Sequence, residues 1–401
     1  MRFPSSAIVA AGFVLAAARS YGLGIEFTYH DPEVVARGNA GVASNGNPSA
    51  VYYNPAMLGA GGGGSELALA GYVLDYKVSH TGAGGHTDLN DGPAVAASAF
   101  AATPLWEGAA LGFGLYSPFG QKNEWPANSA LRGYATDTEL LFMAGTAALG
   151  FELAPSLRVG LSLSAVKSTA DINRGLLVPG DTFSIEGDGS GWGAGAGLTW
   201  EPLAGHRIGG TVRYWSPVTY KGTGTTVTVL PAPGVTVGPV ESKLSFPLEA
   251  TLGYAWEPDE HWLFEIDVTY NDWSSFKNFT LRSPAGTLVE PLNWEDSLIF
   301  AAGVTRKWDG GWWVGGGYWF AEKTTPDANF NPRLPDVDLH VVSLGAGYRS
   351  ECWAADLTYQ YGYGEPRQIT GSTPAFPSGA SADGKMTYRA HGISAGVRWF
   401  W

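Results

Sequence analysis

Seven histidines, one cysteine and a few Ser, Asp and Lys positions are the residues of this sequence that could do covalent, metal or binding chemistry. The histidines, at positions 30, 80, 86, 206, 261, 340 and 391, follow no metal-ligand spacing, and no Gly-x-Ser-x-Gly elbow presents a nucleophile. His391 and Ser394 are close in sequence but lie on opposite parities of one alternating segment, which points them to opposite faces. Cys352 has no second cysteine for a disulfide or a thiolate metal site. The run Asp88-Leu89-Asn90-Asp91-Gly92 resembles a calcium loop, but no Glu closes it at the twelfth position, and it reads as a solvated loop. An enzyme is not expected, nor a cofactor or metal. Binding is the more promising chemistry: an apolar tail needs a greasy lining, and a carboxylate head needs a cation or a hydrogen-bond donor. Lys323 is one such cation, on the parity of Trp313, Gly315, Gly317, Trp319 and Ala321. Phe119, Trp125, Phe142 and Trp319 could line a pocket or stand in an outer aromatic girdle.

The elements that must position these residues show themselves by alternation of period two. In His261 to Tyr270, Trp262, Phe264, Ile266, Val268 and Tyr270 fall on one face and Leu263, Glu265, Asp267 and Thr269 on the other, a strand between lipid and a wetter interior. Trp353, Ala355, Leu357, Tyr359 and Tyr361 oppose Ala354, Asp356, Thr358 and Gln360 in the same way, and Phe246, Leu248, Ala250, Leu252, Tyr254 and Trp256 form a third face. Fourteen such segments start near residues 65, 93, 108, 134, 155, 190, 205, 241, 260, 290, 311, 340, 353 and 386. Connections after even strands are tight, as at Pro104 to Glu107 and Glu257 to Glu260. Those after odd strands are long and polar, as at Lys221 to Val240 and Gly362 to Lys385. Short periplasmic turns alternating with longer extracellular loops are the mark of an outer-membrane barrel. Trp200, Trp256, Trp262, Trp308, Trp312, Trp353 and Trp399 flank the short turns or the C-terminus, where an aromatic girdle belongs.

Composition agrees. Charged residues make only 15% of the chain, against ~25% in a soluble domain, yet mean hydropathy is -0.04. After the first 18 residues no run reaches the ~18 apolar residues of a helical span. The net charge of -13 argues against a nucleic-acid partner. The N-terminus, Arg2 followed by apolar Ala7 to Ala18, reads as a signal peptide over residues 1–22. Residues 23–64 fit no strand pattern, and their Val, Tyr, Met and Leu content favours packing over disorder. Residues 65–401 are then the barrel, placed in the outer membrane of a Gram-negative bacterium among outer-membrane lipid and lipopolysaccharide. Pro118 stands out within strand three: a barrel strand must pair every backbone N-H, and proline cannot donate. With Gly114 before it and Gly120 after it, it predicts a bulge or gap there.

Several blocks carry a family resemblance in order along the chain. They are Ala36-Arg37-Gly38-Asn39-Ala40-Gly41-Val42-Ala43, then Ser49-Ala50-Val51-Tyr52-Tyr53-Asn54-Pro55-Ala56-Met57-Leu58 and Leu115-Tyr116-Ser117-Pro118-Phe119-Gly120. Later come Phe246-Pro247-Leu248, Asn271-Asp272-Trp273-Ser274-Ser275-Phe276 and Arg333-Leu334-Pro335-Asp336-Val337-Asp338. The set resembles the FadL/TodX family of outer-membrane transporters of hydrophobic compounds. The resemblance implies an all-β fold: a monomeric, 14-stranded antiparallel transmembrane β-barrel whose lumen is plugged by an N-terminal hatch over 23–64 carrying the Asn54-Pro55-Ala56 motif. It implies passive, ligand-gated uptake of long-chain fatty acids or other hydrocarbons, with lateral exit through a kink in strand three. Carried over residue by residue, it makes Arg174, closing the run Ala165 to Arg174, a head-group ligand, and Ser117 the hydroxyl beside the kink; Phe119 and Lys323 join them as candidate ligand contacts. Leu339 and Val341 depart from the family, which commonly shows a basic and an aromatic residue there. The competing function is a general porin or a structural or adhesive barrel, which would leave the 40-residue pre-barrel segment without a task.

Overall fold

The computed structural model describes residues 25–58, 64–90, 92–176, 178–375 and 381–401; the expected signal peptide lies outside them. Fourteen antiparallel strands form the wall: β1 Glu66–Gly82, β2 Ala94–Trp106, β3 Ala109–Glu124, β4 Asp137–Ala154, β5 Leu157–Gly175, β6 Thr182–Leu203, β7 His206–Trp215, β8 Glu249–Trp256, β9 Trp262–Asn271, β10 Ser297–Lys307, β11 Trp312–Ala321, β12 Leu339–Arg349, β13 Trp353–Ile369 and β14 Gly384–Phe400. Each pairs with the next, and β14 returns to β1 from Glu66↔Phe400 to Gly82↔Gly384, so the sheet closes on itself. Closure removes the edge that lipid could not solvate.

Alternation places the side chains as the sequence implies. On β9, Phe264, Ile266, Val268 and Tyr270 are exposed on the outer wall, whereas Leu263, Glu265 and Asp267 are buried inside. His391 is exposed and Ser394 buried, which separates the pair across the wall. The tryptophans at 200, 256, 308, 312, 353 and 399 are exposed beside the short turns, and Phe119, Trp125, Phe142 and Trp319 all point inward and are buried.

Three strand starts differ from expectation: β6 begins at Thr182 rather than near 190, because its pairing with β5 continues up to Gly175↔Thr182. The segments near 241 and 290 belong to hairpins above the wall, Val218–Thr228 with Gly234–Leu244 and Asn278–Ser283 with Gly286–Pro291, so β8 and β10 begin at Glu249 and Ser297. Alternation continues through these hairpins and cannot mark where membrane ends. Phe246 also leaves the outer face of its segment: residues 245–248 are not strand, and its ring is buried inside.

Residues 25–58 run inside the cylinder, and none of them is exposed. The helix Pro32–Ala36 begins on Asp31, whose carboxylate accepts from Glu33 N and Val34 N at 2.9 and 3.3 Å, with proline at the first helical position where its missing N-H costs nothing. The wall is notched to receive this segment. Gly150, Gly160 and Gly197 are mutual partners on β4, β5 and β6, and a Cβ on any of them would strike the backbone or side chain of Asn54 and Pro55. Gly303 and Gly317 are partners on β10 and β11 and receive the Arg37 to Gly38 turn in the same way.

Candidate functional site

Strand β3 carries the break that Pro118 predicts. Tyr116 pairs with Ala144, but the next partners are Phe119 and Phe142, so Ser117 and Pro118 oppose the single residue Met143. This is a β-bulge, which bends the strand and turns its side chains. The inside-outside alternation fails here: residues 116 to 121 are all buried. On the other edge of β3, pairing with β2 stops at Ala99↔Leu115, although β2 runs on to Ala94. The bent stretch pairs with the luminal segment instead: Phe27 N donates to Pro118 O at 2.7 Å, Gly120 N donates to Ile25 O at 2.9 Å, and Glu26 bridges Phe119. Ser117 Oγ lies 2.6 Å from Phe142 O and 3.0 Å from Phe119 O, so its hydroxyl proton is used to satisfy backbone carbonyls that the bulge frees.

Phe119 sits at the centre of an aromatic cluster, with ring centroids 5.2 Å from Phe142, 4.9 Å from Phe246, 5.9 Å from Trp215 and 6.3 Å from Trp273. Trp273 continues it to Trp294 at 5.1 Å, which meets Phe276 at 4.6 Å. Phe276 and Trp294 line a cavity of about 80 Å³ with Ile25, Leu140, Leu244 and Leu334. A continuous aromatic face therefore joins this apolar cavity to the bulge. Above it, a vestibule of about 210 Å³ is bordered by Arg174, Tyr134, Glu290 and Phe330. Asn331 and Arg333 border both spaces.

The sequence-derived candidates separate accordingly. Ser117, Pro118, Phe119 and Gly120 come together at the bulge. Gly114 lies below it, where a Cβ would stand 2.8 Å from the Phe100 ring and 3.0 Å from Val51. Arg174 lies in the vestibule with its guanidinium 5.6 Å from the Phe183 ring. Lys323 lies beyond the end of β11 at Ala321, where parity no longer sets direction, and it is exposed and paired with Asp338 at 3.1 Å. Arg333 was missed as a site residue. Its Nη2 donates to Tyr134 O at 3.2 Å, Glu290 lies 3.6 Å from Nη1, and its buried Nε has no protein partner among the described residues. Its one signal was membership of the block that resembles the family.

Charges hold the luminal segment lower down. Asp267 Oδ2 accepts from Gly41 N and Val42 N at 2.8 and 3.1 Å, and Glu265 Oε1 from Ala43 N at 2.7 Å. Arg398 pairs with Glu33 at 2.7 Å and Asp356 at 3.3 Å, while Arg37 lies 3.5 Å from Glu33. Burial opposes ionisation of Glu33, but Arg398 and Arg37 outweigh it and lower its pKa to about 2. Asn54 Nδ2 donates to Val42 O at 2.6 Å, Thr199 Oγ1 at 3.1 Å and Leu198 O at 3.2 Å, and its Oδ1 accepts from Ala56 N at 3.0 Å.

The family model described as outer membrane protein transport protein (OMPP1/FadL/TodX) matches residues 3–400. A Pseudomonas aeruginosa FadL homologue superposes with a TM-score of 0.84 at 18% identity, covering 94% of this chain and 99% of that one. The Ralstonia pickettii toluene transporter TbuX gives 0.73 at 17%, covering 93% and 99%. The Pseudomonas putida toluene transporter TodX gives 0.73 at 17%, covering 95% and 98%. A search of curated protein sequences finds no match. The chain belongs to the OMPP1/FadL/TodX family of outer-membrane transporters of hydrophobic compounds, and is a channel rather than an enzyme.

Proposed function

We propose that this barrel takes up long-chain fatty acids or other hydrocarbons by passive diffusion, collecting them in the vestibule, holding them in the apolar cavity and releasing them sideways between β2 and β3. Residues 25–58 act as the hatch that blocks a straight aqueous path. The observation that carries the reading is the break at Ser117 and Pro118, where β3 leaves β2 and the aromatic face of the cavity arrives. A hydrocarbon that left into the aqueous periplasm would lose ~0.8 kcal/mol for each methylene returned to water; exit through the wall retains that energy. Arg174 and Arg333 supply the cations a carboxylate head would meet, and aromatic hydrocarbons, the cargo of the toluene transporters, would need only the lining.

Deletion of Pro118 tests this. Removing the one extra residue leaves Phe119 opposite Phe142 and allows β3 to continue its ladder. Uptake of radiolabelled oleate should fall at least tenfold, while ligand binding and heat-modifiable gel mobility stay as in wild type. Unchanged uptake by the folded deletion variant would refute lateral exit at β3, and large steady wild-type conductance would favour a general porin.

A further inference from the structure

The outer wall at the seam that closes the barrel carries a basic cluster that meets no acid among the described residues. Outward positions of β14 run upward from Trp399 through Val397, Ala395, Ile393 and His391 to Arg389, and on to Lys385. Those of β1 run through Leu67, Leu69, Gly71, Val73 and Asp75 to Lys77. The register sets Lys77 directly opposite Arg389, and both are exposed, as is Lys385. Like charges facing each other across an antiparallel pair repel. Among the described residues none of the three joins an ion pair, whereas Lys167 on β5 and Lys221 and Arg282 on the hairpins above the wall each meet an acid. Asp75 faces His391 and pairs with neither cation.

Height on the wall identifies what such a pair faces. Arg389 is ten residues above the girdle residue Trp399, roughly 33 Å along a strand, or about 25 Å along the membrane normal at a ~40° tilt, the height of the apolar band. Directly below the pair lie Asp75 and His391, and below them the surface is apolar and aromatic: Val73, Ile393, Leu357 and Tyr359 are exposed there. Beside it Tyr363 is the register partner of Arg389 on β13. The cations therefore stand at the level of the outer-leaflet head groups, above a surface fit for acyl chains. Lys385, four residues beyond Arg389, is roughly 13 Å further along the strand, a spacing suited to a head group with two phosphates.

We propose that this seam is a docking site for lipopolysaccharide, with one lipid A phosphate held between Lys77 and Arg389, the second reached by Lys385, and acyl chains laid on Val73, Ile393, Leu357 and Tyr359. A phosphate between the opposed cations replaces their repulsion with charge-assisted hydrogen bonds, bidentate from the arginine. The site is on the outer wall, apart from the transport path, and stands whether or not exit occurs at β3.

The test uses the purified full-length barrel in detergent, wild type beside the Lys77→Gln/Arg389→Gln/Lys385→Gln variant, with bound lipid counted by native mass spectrometry. Wild type should bind bisphosphorylated lipid A at least tenfold more tightly than dephosphorylated lipid A, and the triple variant should lose that preference while keeping its heat-modifiable mobility. Lys77→Arg should retain it, which separates charge from fold. Equal binding by wild type and triple variant would overturn the proposal. So would phosphatidylglycerol binding as tightly as lipid A, or complete competition by millimolar inorganic phosphate.

Discussion

Replacing Asn54 with Ala should unseat the luminal segment without unfolding the wall. Asn54 is fully buried, and its amide ties the Pro55–Met57 turn to Val42 O, Leu198 O, Thr199 Oγ1 and Ala56 N. The two amide hydrogens can make two good donations, and Oδ1 makes one acceptance. At about 1 kcal/mol net for each of these three bonds, the loss is roughly 3 kcal/mol, or roughly 140-fold in the seated-to-unseated equilibrium. Gly160→Val attacks the same contact from the wall, because its Cβ would clash with the Pro55 carbonyl and the Ala56 amide. Gly145→Val is the control: it sits on the exposed face of β4, where a Cβ meets nothing within 4 Å. In planar bilayers both Asn54→Ala and Gly160→Val should raise single-channel conductance and open time, Gly145→Val should not, and all three should keep the heat-modifiable mobility of a folded barrel. Wild-type conductance in the first two folded variants would refute the view that this turn holds the lumen shut.

Ser117→Ala should lower the temperature at which the folded gel form is lost, corresponding to roughly 1–3 kcal/mol for the carbonyl it leaves unpaired. It should leave ligand affinity unchanged, since the hydroxyl is committed to Phe142 O and Phe119 O; a large affinity loss with unchanged stability would restore it as a ligand contact. Glu33 gives a pH test: with its pKa lowered to about 2 from an ordinary 4.5, its ion pairs contribute fully above pH 4.5 and are lost as pH falls through about 2. Wild-type conductance should therefore rise over that window, and Glu33→Gln should conduct more at neutral pH with a flattened acid response.

Some of this was legible in the sequence because lipid imposes strict rules. The strand faces of β9 and β13 could be read because an outer wall in hydrocarbon must be apolar at every second residue, and the bulge because proline at 118 cannot donate within a paired strand. Other features had no local signal. The hairpins at 218–244 and 278–291 keep the alternation of the wall, so β8 and β10 seemed to start early. The notch at Gly150, Gly160 and Gly197 exists only once the register of three strands is known. Ile25, Leu140, Leu244, Phe276 and Leu334 meet around the cavity from segments far apart in sequence, and no spacing rule joins them. Parity gives no direction for Lys323, which lies past the end of its strand at Ala321.

The luminal segment is held with very different strength at its two ends. From Glu33 to Ala56 it is fixed by the Arg398, Asp267, Glu265 and Asn54 contacts and by glycine notches that leave no room for sliding. At the bulge it is held by two backbone hydrogen bonds to Pro118 and Gly120 and by Asn271 donating to Glu26 at 2.8 Å. Each neutral backbone bond is worth only about 1 kcal/mol net and the bond to Glu26 roughly 1.5–3 kcal/mol, so about five or six methylenes at ~0.8 kcal/mol each, buried in the adjoining cavity that Ile25 lines, offset all three. Under the proposed lateral exit, ligand binding is expected to displace residues 25–27 from β3 while the rest of the segment stays seated, opening the wall beside the cavity and leaving the straight aqueous path closed.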